Sequence, residues 1–462
     1  MKTTSEASRS IKNVLIVTYY WPPSGGAGVQ RFLKFVKYLP QFDIRPVVLT
    51  CSNPTYPILD PSLVEDIPST VQVYKSRSLE PFKLYSRLAG ISAEKAASPT
   101  IALSKEHLSV MQRAARFIRA NLFIPDARLG WVPFARKKAL HLIRTHNIDR
   151  IITTGPPHST HFIGLWIKQK TGITWIADFR DPWSDIHYNR VLPRTGLAKM
   201  TDHKLELKIL KHADHITVTA PGTAALITRN VSRSCHVITN GFDPDDFDTS
   251  GYPPTHTGRI RTSDSGSEFS PVHPETGNFL IRHVGSITET SVPENLFQAL
   301  SRLQSLPVRM EFIGSSHEMV QFQIREHGIE SIVKQHPYVP HKEAIRLMQQ
   351  SDMNVVVVHR SDDSRILIPG KLFDYLKAGK PIMIIGPVDG DAAEIVRKCN
   401  IGKAFDYDDY EGPADWIRTL FHSNKSTHGS PLHKPEERLI ASYSRYQLTA
   451  RLAEIIHHPN TT

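Results

Sequence analysis

Four loops of this 462-residue chain carry side chains that could hold a phosphate or a sugar. In SGGAGVQR, Ser24 to Arg31, the glycines Gly25, Gly26 and Gly28 let the backbone come close to a ligand just before a helix. The first N–H groups of such a helix attract anions. A tight strand-to-helix turn would need the same glycines without any ligand. The spacing is neither GxGxxG nor GxxxxGK[ST], which argues against dehydrogenases and P-loop enzymes. In GPPHSTH, Gly155 to His161, His158 and His161 could bind a sugar hydroxyl or a phosphate, and Ser159 or Thr160 is suited to cap the following helix. Without Cys or carboxylate partners beside them, the two histidines do not read as a metal site. In DFRDPW, Asp178 to Trp183, carboxylates on both sides of Arg180 could orient hydroxyls or bind phosphate; equally, Asp178 and Asp181 could neutralise Arg180 in a buried network. In ILIPGKLFDYLKAGKPIMIIG, Ile366 to Gly386, Pro369 and Gly370 make a turn, Lys371 opens a helix and Asp374 follows on the same side. An ammonium beside free helix N–H groups suits a diphosphate, and a carboxylate suits ribose hydroxyls. A surface ion pair between Lys371 and Asp374 is the plainer reading.

These loops need strands to end beside them. Short apolar runs rich in β-branched residues predict buried strands at 13–18, 45–50, 150–154, 174–178, 215–219 and 236–239, with a helix over 29–39. After a polar stretch, strands are predicted at 279–284, 309–313, 332–336, 353–358 and 381–385. Helices at 293–304, 319–327, 342–350 and 371–378 alternate with them. Such alternation means parallel sheets covered on both faces, and ligands then bind beyond the carboxyl ends of the strands. Residues 249–278 are rich in Ser, Thr, Gly, Pro and His, with little to bury, and read as a linker or disordered insert. The expected plan is a first domain over 11–248, that insert, a second domain over 279–435, and a closing helix over 436–456. Leu448, Leu452 and Ile455 fall at helical spacing; that helix either packs back across the domains or lies on the second one.

The chain is long enough for two or three domains. Lys and Arg number 56 against 45 Asp and Glu, a net charge of +11. This suits anionic substrates or an anionic membrane surface at least as well as nucleic acid, and no nucleic-acid module is recognisable. The three cysteines, Cys51, Cys235 and Cys399, are far apart and read as free thiols of a reducing compartment. Neither a signal peptide nor a membrane-spanning run is evident, so a cytoplasmic protein is expected, peripheral on the inner face of the membrane at most. Over Lys105 to Ile124, Leu108, Met111, Ala115, Ile118 and Leu122 share one helical face while Arg113, Arg116 and Arg119 share another. This is either a basic amphipathic helix for anionic lipid or an ordinary solvated helix. Asp243, Asp245 and Asp246 follow the turn signal Asn240-Gly241 and read as loop and helix-start residues, not as metal ligands.

Taken together, NVLIVTYYWPPSGGAGVQR, LFIPDARLGW (122–131), TTGPPHSTH, WIADFRDPW, ITNGFDPDDF (238–247), HVGSI (283–287) and PGKLFDYLKAGKPI resemble the family 4 retaining glycosyltransferases. The resemblance spans nearly the whole chain. It implies the GT-B fold, two facing Rossmann-like domains with a cleft between them, and a hexosyltransferase that moves a sugar from a nucleotide-diphosphate donor to a glycan or lipid-linked acceptor. Retention of configuration, no metal, and a role in polysaccharide or glycolipid synthesis are further implications. The donor would be held by Gly25, Gly26, Gly28, Arg365, Ile366, Pro369, Gly370, Lys371, Asp374 and Glu394, with His158, His161, Arg180, Asp181 and Lys371 serving catalysis. Several positions depart from the family pattern. Asp374 stands where a ribose-binding Glu is usual, and Ile366 stands where a second Glu is. The basic pair usual after HVG becomes Ser286 and Ser291 or Val292, while the usual His at the fourth strand's end becomes Thr154. These departures keep a second expectation open, a catalytically weak GT-B protein that binds a nucleotide or a partner.

Overall fold

The computed structural model describes residues 11–56, 59–79, 110–186, 189–190, 192–229, 231–247, 260–261, 268–269, 278–425 and 434–458. The chain divides into two compact units, one made of residues 1–240 with 445–462 and the other of residues 241–444.

In the first unit seven parallel strands, β1 (Lys12–Val17), β2 (Ile44–Cys51), β3 (Gln72–Ser76), β4 (Arg150–Gly155), β5 (Thr174–Phe179), β6 (His215–Val218) and β7 (His236–Val237), lie in the order β3-β2-β1-β4-β5-β6-β7. The helices are α1 (Ala27–Tyr38), α2 (Val110–Leu122), α3 (Val132–Thr145), α4 (His161–Thr171), α5 (Gly196–His212) and α6 (Pro221–Thr228). One face of α1 puts Phe32, Leu33, Phe35 and Val36 in the core, each at most 1% exposed. Burying one such side chain stabilises by roughly 1.5–3 kcal/mol.

The second unit holds six parallel strands, β8 (Phe279–Val284), β9 (Val308–Ile313), β10 (Val333–His336), β11 (Met353–Val357), β12 (Ile382–Ile385) and β13 (Gly402–Phe405), in the order β10-β9-β8-β11-β12-β13. Its helices are α7 (Glu294–Ser301), α8 (Glu318–Glu326), α9 (His341–Gln349), α10 (Lys371–Ala378), α11 (Asp391–Lys398), α12 (Gly412–Lys425) and α13 (Glu437–Ala441). Arg282 and Glu311, opposite each other on β8 and β9, form a buried pair at 2.8 Å, and Arg282 also donates to the Leu347 carbonyl. This satisfies a charge pair inside the sheet.

The unit boundary lies at 240/241, not at the expected 248. Of the expected linker 249–278, only Asn278 and a two-residue antiparallel pairing of Ile260–Arg261 with Glu268–Phe269 fall within the described residues. After α13 the chain returns to the first unit as α14 (Arg445–His457). Leu448, Leu452 and Ile455 join the core formed with Val29, Phe32 and Val36 of α1, and Tyr446 packs edge-on against Tyr38. Cys51 and Cys399 are buried and Cys235 is half-buried, all three as free thiols.

The helix expected over 105–124 is described from Val110, with 105–109 outside the described residues, and its facing differs from expectation. Ile118 and Leu122 are 46% and 73% exposed, as are Val110 at 74% and Phe117 at 48%. Arg113 is exposed, whereas Arg116 and Arg119 are half-buried. Ile118 and Leu122 of the expected apolar face thus point outward while Ala120 is buried and Arg116 and Arg119 lie partly inward; Leu108 and the side chains of Met111 and Ala115 lie outside the described residues.

Candidate functional site

In each sheet the strand order reverses once, between β1 and β4 in the first unit and between β8 and β11 in the second. Loops leaving adjacent strands diverge there, so ligands of open α/β sheets bind at that point. All four sequence-marked loops leave strands at or beside these reversals.

At the first reversal the loop after β1 turns through Gly26, whose φ of 100° favours glycine, and opens α1 without a side-chain cap. A Cβ on Gly28 would overlap the Arg180 guanidinium, so the glycine loop and the DFRDPW loop meet here. Arg180 Nε donates to the Gly155 carbonyl at 3.2 Å and Nη2 donates to the Pro156 carbonyl, which ties the guanidinium to the end of β4. Burial lowers the Arg180 pKa, against the opposing pull of Asp181 and then Asp178.

Asp178 has a different partner from the one anticipated. Its Oδ1 accepts from Arg31 Nη2 at 2.8 Å and from Thr217 Oγ1 at 2.7 Å, while Oδ2 accepts from Thr154 Oγ1 at 2.8 Å. Arg31, fully buried, also donates to the Thr239 carbonyl. Asp178 is therefore saturated from below the sheet edge, and Thr154 is engaged with it. Asp181 is half-buried beside Arg180.

His158 and His161 are both buried. His161 shares a hydrogen bond of 2.9 Å with Thr153 Oγ1, and its ring stacks on Phe179 at 4.5 Å. His158 stacks nearly parallel on Trp183, 4.9 Å between centroids. Burial depresses both: His158 lies well below 6.5, helped by the charges of His161 and Arg180, and His161 falls to about 3. At neutral pH this favours the uncharged form of both rings, the form that can exchange a hydrogen bond with a hydroxyl.

The expected cap on α4 is not made. The Ser159 N–H and hydroxyl both donate to Asp126, at 2.8 and 2.7 Å, and Thr160, at the N-cap position, makes no side-chain cap bond. Asp126, in the LFIPDARLGW stretch, is thus the clamp of the GPPHSTH turn. A second clamp comes from α5. Asp202 Oδ1 accepts from Trp183 Nε1 at 2.8 Å, and Glu206 accepts from the Ser184 hydroxyl, so one helix turn of carboxylates holds the loop after DFRDPW. Burial raises Glu206 to about 7, against the hydrogen bonds from Ser184. Sequence reading missed these clamps because their partners are 19 to 33 residues away, and the DxxxE spacing in α5 was the one local signal.

At the second reversal, His283 and Val284 end β8 and Gly285 follows. Lys371, first residue of α10, lies 3.0 Å from His283 Nε2, and a Cβ on Gly285, whose φ is 124°, would collide with its Nζ. Burial lowers Lys371 to about 8. Among the described residues it forms no ion pair. Pro369 and Gly370 open α10, accepting from the Leu372 and Phe373 N–H groups, and Asp374 is half-buried in its first turn. Other expected donor ligands sit elsewhere. Arg365 pairs with Asp389 on the surface, Glu394 pairs with Arg397 and Lys398 along α11, and Ile366 ends a 3-10 turn, half-buried. Ser286 accepts from Ser315, and Ser291 closes a capping box with Thr288. Asp243 Oδ1 accepts from the Asp245 N–H, and Asp246 lies 3.4 Å from His341.

Residues 28–246 match Glycosyltransferase Family 4. The chain carries a Glycosyltransferase Family 4 domain. This domain makes it a glycosyltransferase, and solved structures show the same GT-B fold over the whole chain. A glycosyltransferase from Rickettsia africae ESF-5 is 12% identical with a TM-score of 0.60, over 97% of this chain and 98% of that one. Sucrose-phosphate synthase from Thermosynechococcus elongatus is 12% identical with a TM-score of 0.58, over 97% and 98%. Anabaena Alr3699/HepE, in complex with UDP and glucose, is 16% identical with a TM-score of 0.56, over 96% and 99%. No curated protein matches the chain. The family match takes in the glycine loop from Gly28, GPPHSTH and DFRDPW, and ends before Lys371.

Proposed function

We propose that this glycosyltransferase moves a hexosyl unit from a nucleotide-diphosphate sugar to a glycan or lipid-linked acceptor, with retention of configuration and without a metal ion. The second unit takes the donor and the first unit the acceptor. The observation that carries the donor reading is Lys371, an ammonium without an ion-pair partner among the described residues, held against Gly285 where the strand order reverses. A cation there meets the charge that grows on the departing diphosphate, and the first N–H groups of α10 add to it. Asp374, one turn on, suits the ribose hydroxyls. HepE, of the same fold, was solved with UDP and glucose, which fits a nucleotide-linked donor. In the first unit, neutral His158 and His161 with Arg180 and Asp181 orient hydroxyls, while Gly25, Gly26 and Gly28 leave the backbone approachable.

Lys371→Ala tests the donor role. Turnover should fall about 100-fold or more, as when one donor to a developing oxyanion is removed, with the circular dichroism spectrum unchanged; unaltered turnover would refute it. A panel of nucleotide sugars offered with membrane extract, read by mass spectrometry, identifies donor and acceptor. A binding-only reading draws on Ile366, which offers a donor sugar no polar side chain, and on Thr154, whose hydroxyl is engaged by Asp178. Calorimetry that detected UDP or GDP binding with no turnover of any donor would favour that reading.

The outward apolar stripe of α2 supports an acceptor drawn from a membrane surface. Val110, Phe117, Ile118 and Leu122 are exposed, with Arg113 beside them, and Leu197 and Met200 of neighbouring α5 are exposed as well. Apolar side chains enter the lipid boundary while basic groups near it each contribute on the order of 1 kcal/mol. Liposomes containing anionic lipid should pellet the protein and neutral ones should not; equal recovery from both removes the membrane role. Among the described residues no helix is long and apolar enough to cross a membrane.

A further inference from the structure

We infer that His283 is the positioning residue of Lys371: as the neutral Nδ1–H tautomer it accepts a hydrogen bond from the ammonium and fixes it over Gly285. The inference rests on the reading of Lys371 as the diphosphate contact and goes beyond it to how that cation is aimed. His283 Nδ1 lies 3.0 Å from the Val355 carbonyl, and a carbonyl oxygen can only accept, so Nδ1 carries the proton. Nε2 then bears a lone pair, and the 3.0 Å contact with Lys371 Nζ is a hydrogen bond donated by the lysine.

Three consecutive residues of β8 and its turn are adapted to α10. His283 receives Lys371; the Val284 N–H donates to Tyr375 Oη at 2.8 Å; Gly285 has no side chain where Nζ lies. Lys371 and Tyr375 are i and i+4, on one face of the helix, so the helix is held at two successive residues of the strand. An imidazole with a fixed proton cannot swing, and an uncharged acceptor leaves the ammonium's charge unspent. A carboxylate in the same place would neutralise it.

Burial and then the Lys371 charge hold the ring's pKa well below 6.5, with His359 adding to the effect, against the opposing pull of the Val355 and Ser286 backbone groups. Lys371 itself, lowered by burial, loses its proton near pH 8. The other titratable groups on the facing elements are Asp374, Tyr375 and Lys377 of α10 and His359 beyond β11, and burial, with Asp374 adding, raises Tyr375. An alkaline limb near pH 8 in donor kcat/KM is therefore the titration of Lys371.

The test is steady-state kinetics of His283→Ala and His283→Gln against wild type, with a nucleotide-sugar donor that supports turnover. A hydrogen bond to a charged group is worth on the order of tenfold. His283→Ala should raise donor KM about tenfold, leave acceptor KM unchanged, and move the alkaline limb upward as water reaches Nζ. His283→Gln, whose side-chain carbonyl can accept, should recover most of the donor KM. Donor KM and alkaline limb both unchanged in His283→Ala, or no recovery in His283→Gln, would overturn the inference. If Lys371→Ala itself leaves donor KM untouched, the donor reading fails instead. Nitrogen NMR of wild-type imidazoles gives a readout free of mutation and turnover: His283 should be the Nδ1–H tautomer from pH 6 to 9, and an Nε2–H or doubly protonated ring would overturn the assignment.

Discussion

The two strand-order reversals treat charge in opposite ways. At the first, Arg31 and Asp178 face each other below the sheet edge, and Thr154 and Thr217 occupy further lone pairs of the carboxylate. At the second, Lys371 is held by an imidazole that carries no charge. The first arrangement spends its charges on keeping three strand ends in register with α1. The second keeps a cation whose burial works against the fold and whose charge is left for a ligand. Residues that look alike in sequence, a basic side chain beside a strand end with a carboxylate near it, thus divide into those that hold the framework and those that serve the chemistry.

The largest effect that would break this contrast is on stability. Asp178→Ala leaves Arg31 as an uncompensated buried charge and should cost about 3–5 kcal/mol in denaturant unfolding. A cost within about 1 kcal/mol would make the pair ordinary surface electrostatics. Lys371→Met should do the reverse below pH 8, with a melting temperature equal to or above wild type and turnover lost. Its sign follows from the lysine's pKa, which is below the ordinary 10.5 in the folded protein, so the charged form is disfavoured by folding.

Smaller effects sharpen the picture of the clamps. Asp126→Ala removes the acceptor of two Ser159 hydrogen bonds and should cost about 1–3 kcal/mol, with acceptor KM raised more than donor KM. Equal changes in both would mean that the GPPHSTH turn is not specific to the acceptor. For Glu206 the sign runs with pH. Its carboxyl is raised from 4.5 to about 7 in the fold, so its contribution is fully present below pH 4.5 and is lost as pH rises through 7. Glu206→Gln should therefore melt higher than wild type at pH 8 and alike at pH 4, as measured by thermal scans across pH. Least of all, EDTA should leave turnover unchanged, since Lys371 supplies the charge that a metal would; loss of activity that returned with a divalent cation would contradict the metal-free proposal.

Much of the framework was legible. β-branched runs marked the central strands, which are buried on both faces, to within a residue or two. β3 and β13 were not marked, because both are edge strands with polar or glycine positions, QVYKS and GKAF, and little apolar surface to bury. Periodicity found α2 but could not tell which face turns inward. In the site, glycine spacing and the PGK turn were readable locally, whereas Asp178 is defined by residues 31, 154 and 217, and Lys371 by a histidine 88 positions earlier. Their roles come from strand order, which no local pattern carries.

The return of α14 to the first unit has a consequence for biosynthesis. The second unit is an insertion: the chain enters it at 241 and leaves it at 444, with Phe242 and Ser444 bridged side by side. The helix that covers α1 follows the guest in the chain, so the host core closes only once residues 445–457 have been made. During synthesis the guest can therefore be finished, through residue 444, while Phe32 and Val36 of its host still lack the cover of α14.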